Sequence, residues 1–430
     1  MASSGSGAAM SRAGRSLTAA LLAALCALGA AGLAGCAPEP GDVAAEGTAP
    51  KTPAPTPTPD PDPDPEPPPA PRPGAGPPCP TDHCVSVAFA GDFLFHPGLW
   101  RPFEVPLTEA GERFDFAPLF AGARAYLDRA DLAIYQQETP LAEADGKYSG
   151  YPLFNTPREV AGAAKGVGFD VATTASNHSV DMGSEGLVRT LDALDEAGLA
   201  HTGTYRAEGE RDVPLIVEAN DAKVAIITST YGLNGNFNEF DWQVDFSGTD
   251  FDLDIDRAIA KARKARELGA DLVIGVQHNG VEYWSEPSDS QVADAHALMD
   301  SGEFDFMYSH HSHSIQPFEF YDGHWINYGT GNFISESAPK ERRVNNEFLL
   351  SRVQFAEQPD GSWDATDLAW AAATNTQAGE YRWCSVASDG PQGECQWAEF
   401  DADVRERTRT TVESMGAAEH GLHEWLLSEE

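Results

Sequence analysis

Short apolar runs that stop on polar, mostly ionisable residues recur along the chain between positions 85 and 313. VSVAFA (85–90) stops at Gly91-Asp92, and DLAIYQ (131–136) stops before Gln137-Glu138-Thr139-Pro140. FDVATTA (169–175) stops at Ser176-Asn177-His178. DLVIGVQ (271–277) meets His278-Asn279-Gly280, and FDFMYS (304–309) meets His310-His311-Ser312-His313. Runs of this length and bounding predict buried strands.

Between them lie segments of helical period. In 184–198, Leu187, Leu191 and Leu194 share one face and Gly198 can close the helix. A second helix is predicted over 253–268, before Gly269, and a third over 288–302, with Ser288 as its N-cap. Strands alternating with helices predict an α/β fold with a largely parallel sheet, in which side chains just past the strand ends converge on one edge. Farther on the pattern changes to hairpin type. FEFYDGHWINY (318–328) reads as two strands about Asp322-Gly323, and FLLSRVQF (348–355) as another. Together they predict a second, antiparallel sheet. Residues 336–430 should complete it and add a disulfide-held appendage, with a solvated helix over 401–415.

The first 78 residues carry neither period. Arg12 and Arg15 precede an apolar run at 17–33, which leads into Leu33-Ala34-Gly35-Cys36. This resembles a bacterial lipoprotein signal, which implies cleavage before Cys36, lipid on its sulfur, and residence at the extracytoplasmic face of the cell membrane. Residues 37–78 hold more than half of the chain's 31 prolines and predict an extended, polyproline-like tether. The expected organisation is therefore a signal (1–35), an anchor and tether (36–78), a main domain (79–335) and its continuation (336–430). Cys79, Cys84, Cys384 and Cys395 remain once Cys26 and Cys36 are set aside. Proximity suggests Cys79–Cys84 and Cys384–Cys395 disulfides among three possible pairings.

Of 430 residues, 67 are acidic and 28 basic, a formal charge of −39. Such an excess argues against nucleic acid or anionic lipid as an electrostatic partner. Hydrophobic residues at 41% suffice for a large core.

The strand ends collect Asp92, Glu138, Asn177, His178, His278, His311 and His313. Carboxylates that can bridge, an amide oxygen and neutral imidazoles form the donor set of a pair of divalent transition metals.

Several segments extend that set into a family pattern: FAGDFLFH, YQQETPLA, GFDVATTASNHSVDMGSEGLVRTLDALDEAGLAHTGT, VIGVQHNGVEYWSEPSDSQ and MYSHHSHSIQPFEFYDGHWINYGTGNFI. Over about residues 85–334 the chain resembles the CapA-type poly-γ-glutamate capsule synthesis proteins, a branch of the calcineurin-like metallophosphoesterase superfamily. The resemblance implies a four-layer α/β/β/α sandwich holding two divalent transition metals (Mn, Fe or Zn). It makes Asp92 a ligand of the first metal and Glu138 the bridging carboxylate. Asn177, His278 and His311 would serve the second metal, and His313 the first. His178 would be the general acid, oriented by Asp181.

The motifs also depart from the superfamily's. Leu94 stands where the first motif has histidine, with His96 as the nearest replacement, and His310 competes with His311 for one ligand position. Glu282 and Tyr283 are expected to support His278, and Trp284, Trp325 and Tyr328 to pack in the core.

The implied function is the synthesis, export or anchoring of poly-γ-glutamate or another capsule polymer by a membrane-tethered protein. Its partners would be an anionic envelope polymer or a phosphoester substrate, together with membrane-embedded capsule synthesis subunits. The alternatives are a stand-alone metal-dependent phosphoesterase and a polymer-binding protein with a vestigial site.

Overall fold

The computed structural model describes residues 76–429, apart from 110, 145, 337–342 and 377–380. The expected signal, Cys36 and nearly all of the Pro-rich tether lie outside the described residues.

Two sheets make the frame. In the first, β1 (Cys84–Leu94), β2 (Leu132–Gln136), β3 (Val171–Thr173) and β4 (Ala200–Thr202) run parallel. In the second, an edge strand β5 (Leu215–Ala219) pairs antiparallel with β6 (Ala222–Thr230). Parallel strands β7 (Leu272–His278) and β8 (Phe306–His310) follow, and then the hairpin β9 (Phe318–Tyr321) and β10 (His324–Asn327). The hairpin turns on Asp322 (φ 45°) and Gly323 (φ 92°), the paired left-handed conformation that an Asp-Gly step favours.

The hairpin does not form a sheet with the later strand, as its pattern suggested. β10 pairs parallel with β8, so the hairpin finishes the second sheet. The remaining strands extend the first: β11 (Asn332–Ser335), β12 (Glu347–Glu357), β13 (Trp363–Asn375), β14 (Trp383–Ser385) and β15 (His423–Glu424). β12 lies antiparallel to β1 from Cys84↔Ala356 to Ala90↔Leu350. Both sheets are therefore mixed, and residues 347–424 complete the first. Period-2 alternation marks a strand but carries no record of its neighbour, which pairing across long sequence separations decides.

β1 shows how the layers arise. Val85, Val87 and Phe89 face Val224, Ile226, Ile274 and Phe306 of the other sheet. Ala88 and Ala90 face outward, into a cluster with Val160 and Ala164 of α1 (Glu159–Val167) and Leu187, Leu191 and Leu194 of α2 (Gly183–Glu196). Beyond the second sheet, Ala225, Ile227 and Val273 meet Ala258, Ala262 and Ala265 of α3 (Ile255–Glu267) and Ala295 and Leu298 of α4 (Asp289–Met299). The order is helix, sheet, sheet, helix, as expected. Ser288 caps α4, accepting from Gln291 N at 3.2 Å while Gln291 Oε1 accepts from Ser288 N at 2.9 Å.

The C-terminal helix α5 (Ala398–Val412) is not a purely solvated one. Val404 and Val412 are buried with Leu368, Trp370 and Ala372 of β13, while its charged face points outward. Disulfides join Cys79–Cys84 and Cys384–Cys395, the pairing that proximity suggested. Among the described residues, no helix is long and apolar enough to cross a membrane.

Candidate metal centre

The site lies where strands of both sheets end. Asp92 is still inside β1 rather than beyond it, because β1 continues alongside β11 with Asp92 opposite Asn332 and also opposite Gln136 of β2. Gly91 permits that approach, since a Cβ there would come 2.0 Å from the Gly331 carbonyl oxygen. Glu138 follows β2, Asn177 and His178 follow β3, and His278 and His310 close β7 and β8. His311 (φ 83°) and His313 (φ 51°) occupy the left-handed region, which costs a non-glycine residue free energy and is concentrated at functional sites.

These side chains converge. Asn177 Oδ1 lies 2.9 Å from His278 Nε2, which bridges the two sheets. Asp92 Oδ1 is 3.3 Å from His310 Nδ1, and Asp92 Oδ2 is 3.3 Å from His313 Nδ1. His313 Nε2 is 3.6 Å from Glu138 Oε1, and the rings of His278 and His311 are 5.1 Å apart. Asp92, Glu138 and His313 bring one ligand atom each within 4.8 Å of one another, and so do Glu282, His311 and His313.

Burial sets the charges. It pushes His278 well down, His311 down to about 3 and His310 down to about 4; neighbouring imidazoles add to the effect in all three, and Asp92 opposes it for His310 and His311. These rings are therefore neutral near pH 7, the form that offers a lone pair to a cation. For His313 burial acts downward too, but Glu138 and Asp92 outweigh it and hold the ring up to about 10. For Asp92 burial acts upward, yet His310 and His313 hold the carboxyl below its usual range. Glu138 goes the other way, raised by burial and by Asp92 and Glu282 against the pull of His313.

Both Glu138 oxygens, His278 Nδ1, His310 Nε2 and His311 Nδ1 are buried without a hydrogen-bond partner among the described residues. Buried polar atoms are almost always paired, so a cluster of unpaired O and N donors fits a cation. The residues present thus suit divalent metals.

Beside them His178 Nδ1 meets Asp181 Oδ2 at 2.7 Å. Asp181 is itself fixed, accepting from Phe154 N at 2.9 Å and from Asn236 Nδ2 at 3.1 Å. The Phe154 ring stands edge-on to His178 at 4.8 Å.

Other residues have different places from those expected. His310 lies behind Asp92, with Thr330 Oγ1 3.0 Å from its Nδ1, while His311 joins a ligand group. His96 joins neither group; its ring stands edge-on to Phe154 at 5.0 Å. Glu282 belongs with His311 and His313 rather than behind His278. Trp325 and Tyr328 are core, but Trp284 is 56% exposed.

Sequence reading misses the segment after β6, where Tyr231 packs 4.3 Å from His311 and Asn234 Oδ1 accepts from Asn177 Nδ2 at 3.2 Å. Its signal was there: VAIITST (224–230) is another apolar run ending on polar residues.

The profile of the bacterial capsule synthesis protein family PGA_cap matches residues 86–337. The capsule biosynthesis protein CapA of Bacillus anthracis is 34% identical over 234 residues, which cover 53% of this chain and 56% of that one. The PGA biosynthesis protein CapA of Bacillus subtilis (strain 168) is 29% identical over 220 residues, 51% of this chain and 56% of that one. The chain thus spans about half the length of these curated relatives. Among solved structures, a calcineurin-like phosphoesterase of Bacillus subtilis aligns over 77% of this chain and 99% of its own, at 15% identity and a TM-score of 0.44.

Proposed function

The chain belongs to the bacterial capsule synthesis protein family PGA_cap, and on that premise we propose that it serves the synthesis, export or anchoring of poly-γ-glutamate or another anionic envelope polymer. The work is done at a centre for two divalent transition metals. Asp92, Glu138 and His313 hold one, and Asn177, His278 and His311 hold the other. The observation that carries this reading is the convergence of both sheets on one set of buried, unpartnered donors, with Asn177 touching His278 across the sheets.

When bound, such ions polarise a phosphoryl or carbonyl oxygen and acidify water. The protein's own part is placement and proton handling. Asp181 engages Nδ1 of His178, which leaves Nε2 as the position that gives or takes a proton. Phe154 and Asn236 keep Asp181 in place for that task.

The protein acts outside the cytoplasm, anchored through lipid on Cys36 and held off the membrane by its Pro-rich tether. Membrane-embedded synthesis subunits are its partners there. Two disulfides support an oxidising compartment. The His178–Asp181 pair also favours a second reading, a stand-alone metal-dependent phosphoesterase.

A deletion strain complemented with wild type or Asp92→Asn separates the readings. Polymer restored by wild type and not by the variant supports the capsule role. Polymer unaffected by the deletion, with hydrolysis of a simple phosphodiester by the pure protein, supports the phosphoesterase.

A further inference from the structure

The metal motifs leave one position unfilled. Leu94, buried, stands two residues after Asp92 where the superfamily pattern has an imidazole, and His96 is turned to Phe154. Glu282 is absent from the ligand set that the resemblance implies, yet its carboxylate shares a ligand group with His311 and His313.

Its placement is built rather than incidental. Tyr283 N donates to Ser312 O at 2.6 Å, which ties the Glu282 segment to the residue between the two histidines. Tyr283 has φ 69°, a left-handed conformation unusual for an aromatic residue. Gln316 Nε2 donates to the carbonyls of Trp284 and Glu286, both at 3.0 Å, and Gln316 Oε1 accepts from Gln291 Nε2 at 3.0 Å. Gln316 and Gln291 are both buried, so the segment after Glu282 is pinned to the core from below. Independently, His311 Nδ1 is buried and has no hydrogen-bond partner among the described residues.

We propose that Glu282 is a metal ligand, adding a carboxylate from the solvent side beside His311 and His313. This rests on the reading of the site as a metal centre. The consequence is chemical: with Asp92 and Glu138 the centre has three carboxylates, a shift toward harder ions such as Mn2+.

The test uses the full chain in detergent, with Mn2+ as the probe, followed by calorimetry and by electron paramagnetic resonance of the bound ion. Glu282→Gln should weaken Mn2+ binding at least about tenfold, the loss that follows even when a ligand's outer partner is removed. It should also change the resonance line shape, and His96→Gln should leave both unchanged. Glu282→Gln binding like wild type, while Asp92→Asn does not, would overturn the assignment and leave the centre standing. A tenfold loss in His96→Gln with none in Glu282→Gln would also overturn it. Wild type that binds no Mn2+, Fe2+ or Zn2+ would remove both the assignment and the metal centre.

Discussion

Asn177 Oδ1 and His278 Nε2 meet at 2.9 Å although their strands, β3 and β7, belong to different sheets. The contact means that the centre depends on the packing of the two sheets as well as on either sheet alone. Residues such as Phe89, Ile134, Val224 and Ile274 between the sheets therefore help set the distance between donors.

His178→Ala should reduce any hydrolytic turnover by about 10²- to 10⁴-fold, the usual share of a positioned acid. Its metal content should match wild type, because no donor of either ligand group is removed. Steady-state kinetics beside metal analysis checks both halves.

Asp245 lies in the loop between β6 and α3. It is buried, and Tyr205 OH and Thr228 Oγ1 each donate to its Oδ2 at 2.7 Å, while Lys261 Nζ lies 2.9 Å away. Asp245→Ala leaves the Lys261 ammonium buried and unpaired, so denaturant unfolding should show a loss of about 3–5 kcal/mol. The double variant Asp245→Leu/Lys261→Met should recover only part of it, because the buried Arg211 guanidinium, 3.7 Å from Asp245, still loses its counter-ion.

The legible part of the fold follows from local burial. Strands such as β7 and β8 are apolar on both faces and end abruptly on histidine, so their position and their chemistry appear together in the sequence. Sheet membership does not, because β12 pairs with β1 across more than 250 residues of chain. Glu282 was opaque for a related reason. The backbone bond from Tyr283 to Ser312 helps bring it to His311, and no spacing within 278–283 encodes that bond. Trp284, expected in the core, is turned to solvent by its loop.

A pH dependence follows at the far edge of the first sheet. His423 of β15 lies 2.8 Å from Asp367 of β13, and that hydrogen bond, against the opposing effect of partial burial, raises the imidazole above its ordinary 6.5. A raised histidine contributes stability that is fully present below its unfolded value and fades as pH rises through the folded value. Thermal unfolding should thus show wild type losing stability relative to His423→Gln as pH climbs above about 6.5. Asp367 has the reverse sign. Burial raises it, but His423 and Arg352 hold it below 3.8, so its contribution is lost only in acid.

The most direct measurement is the metal content of the full chain after dialysis against Mn2+, Fe2+ or Zn2+, beside Asp92→Asn and His278→Ala. The account predicts about two bound ions in wild type and about one in each variant, because Asp92 and His278 serve different positions. Wild type and both variants holding equal amounts, or wild type holding none, would contradict it.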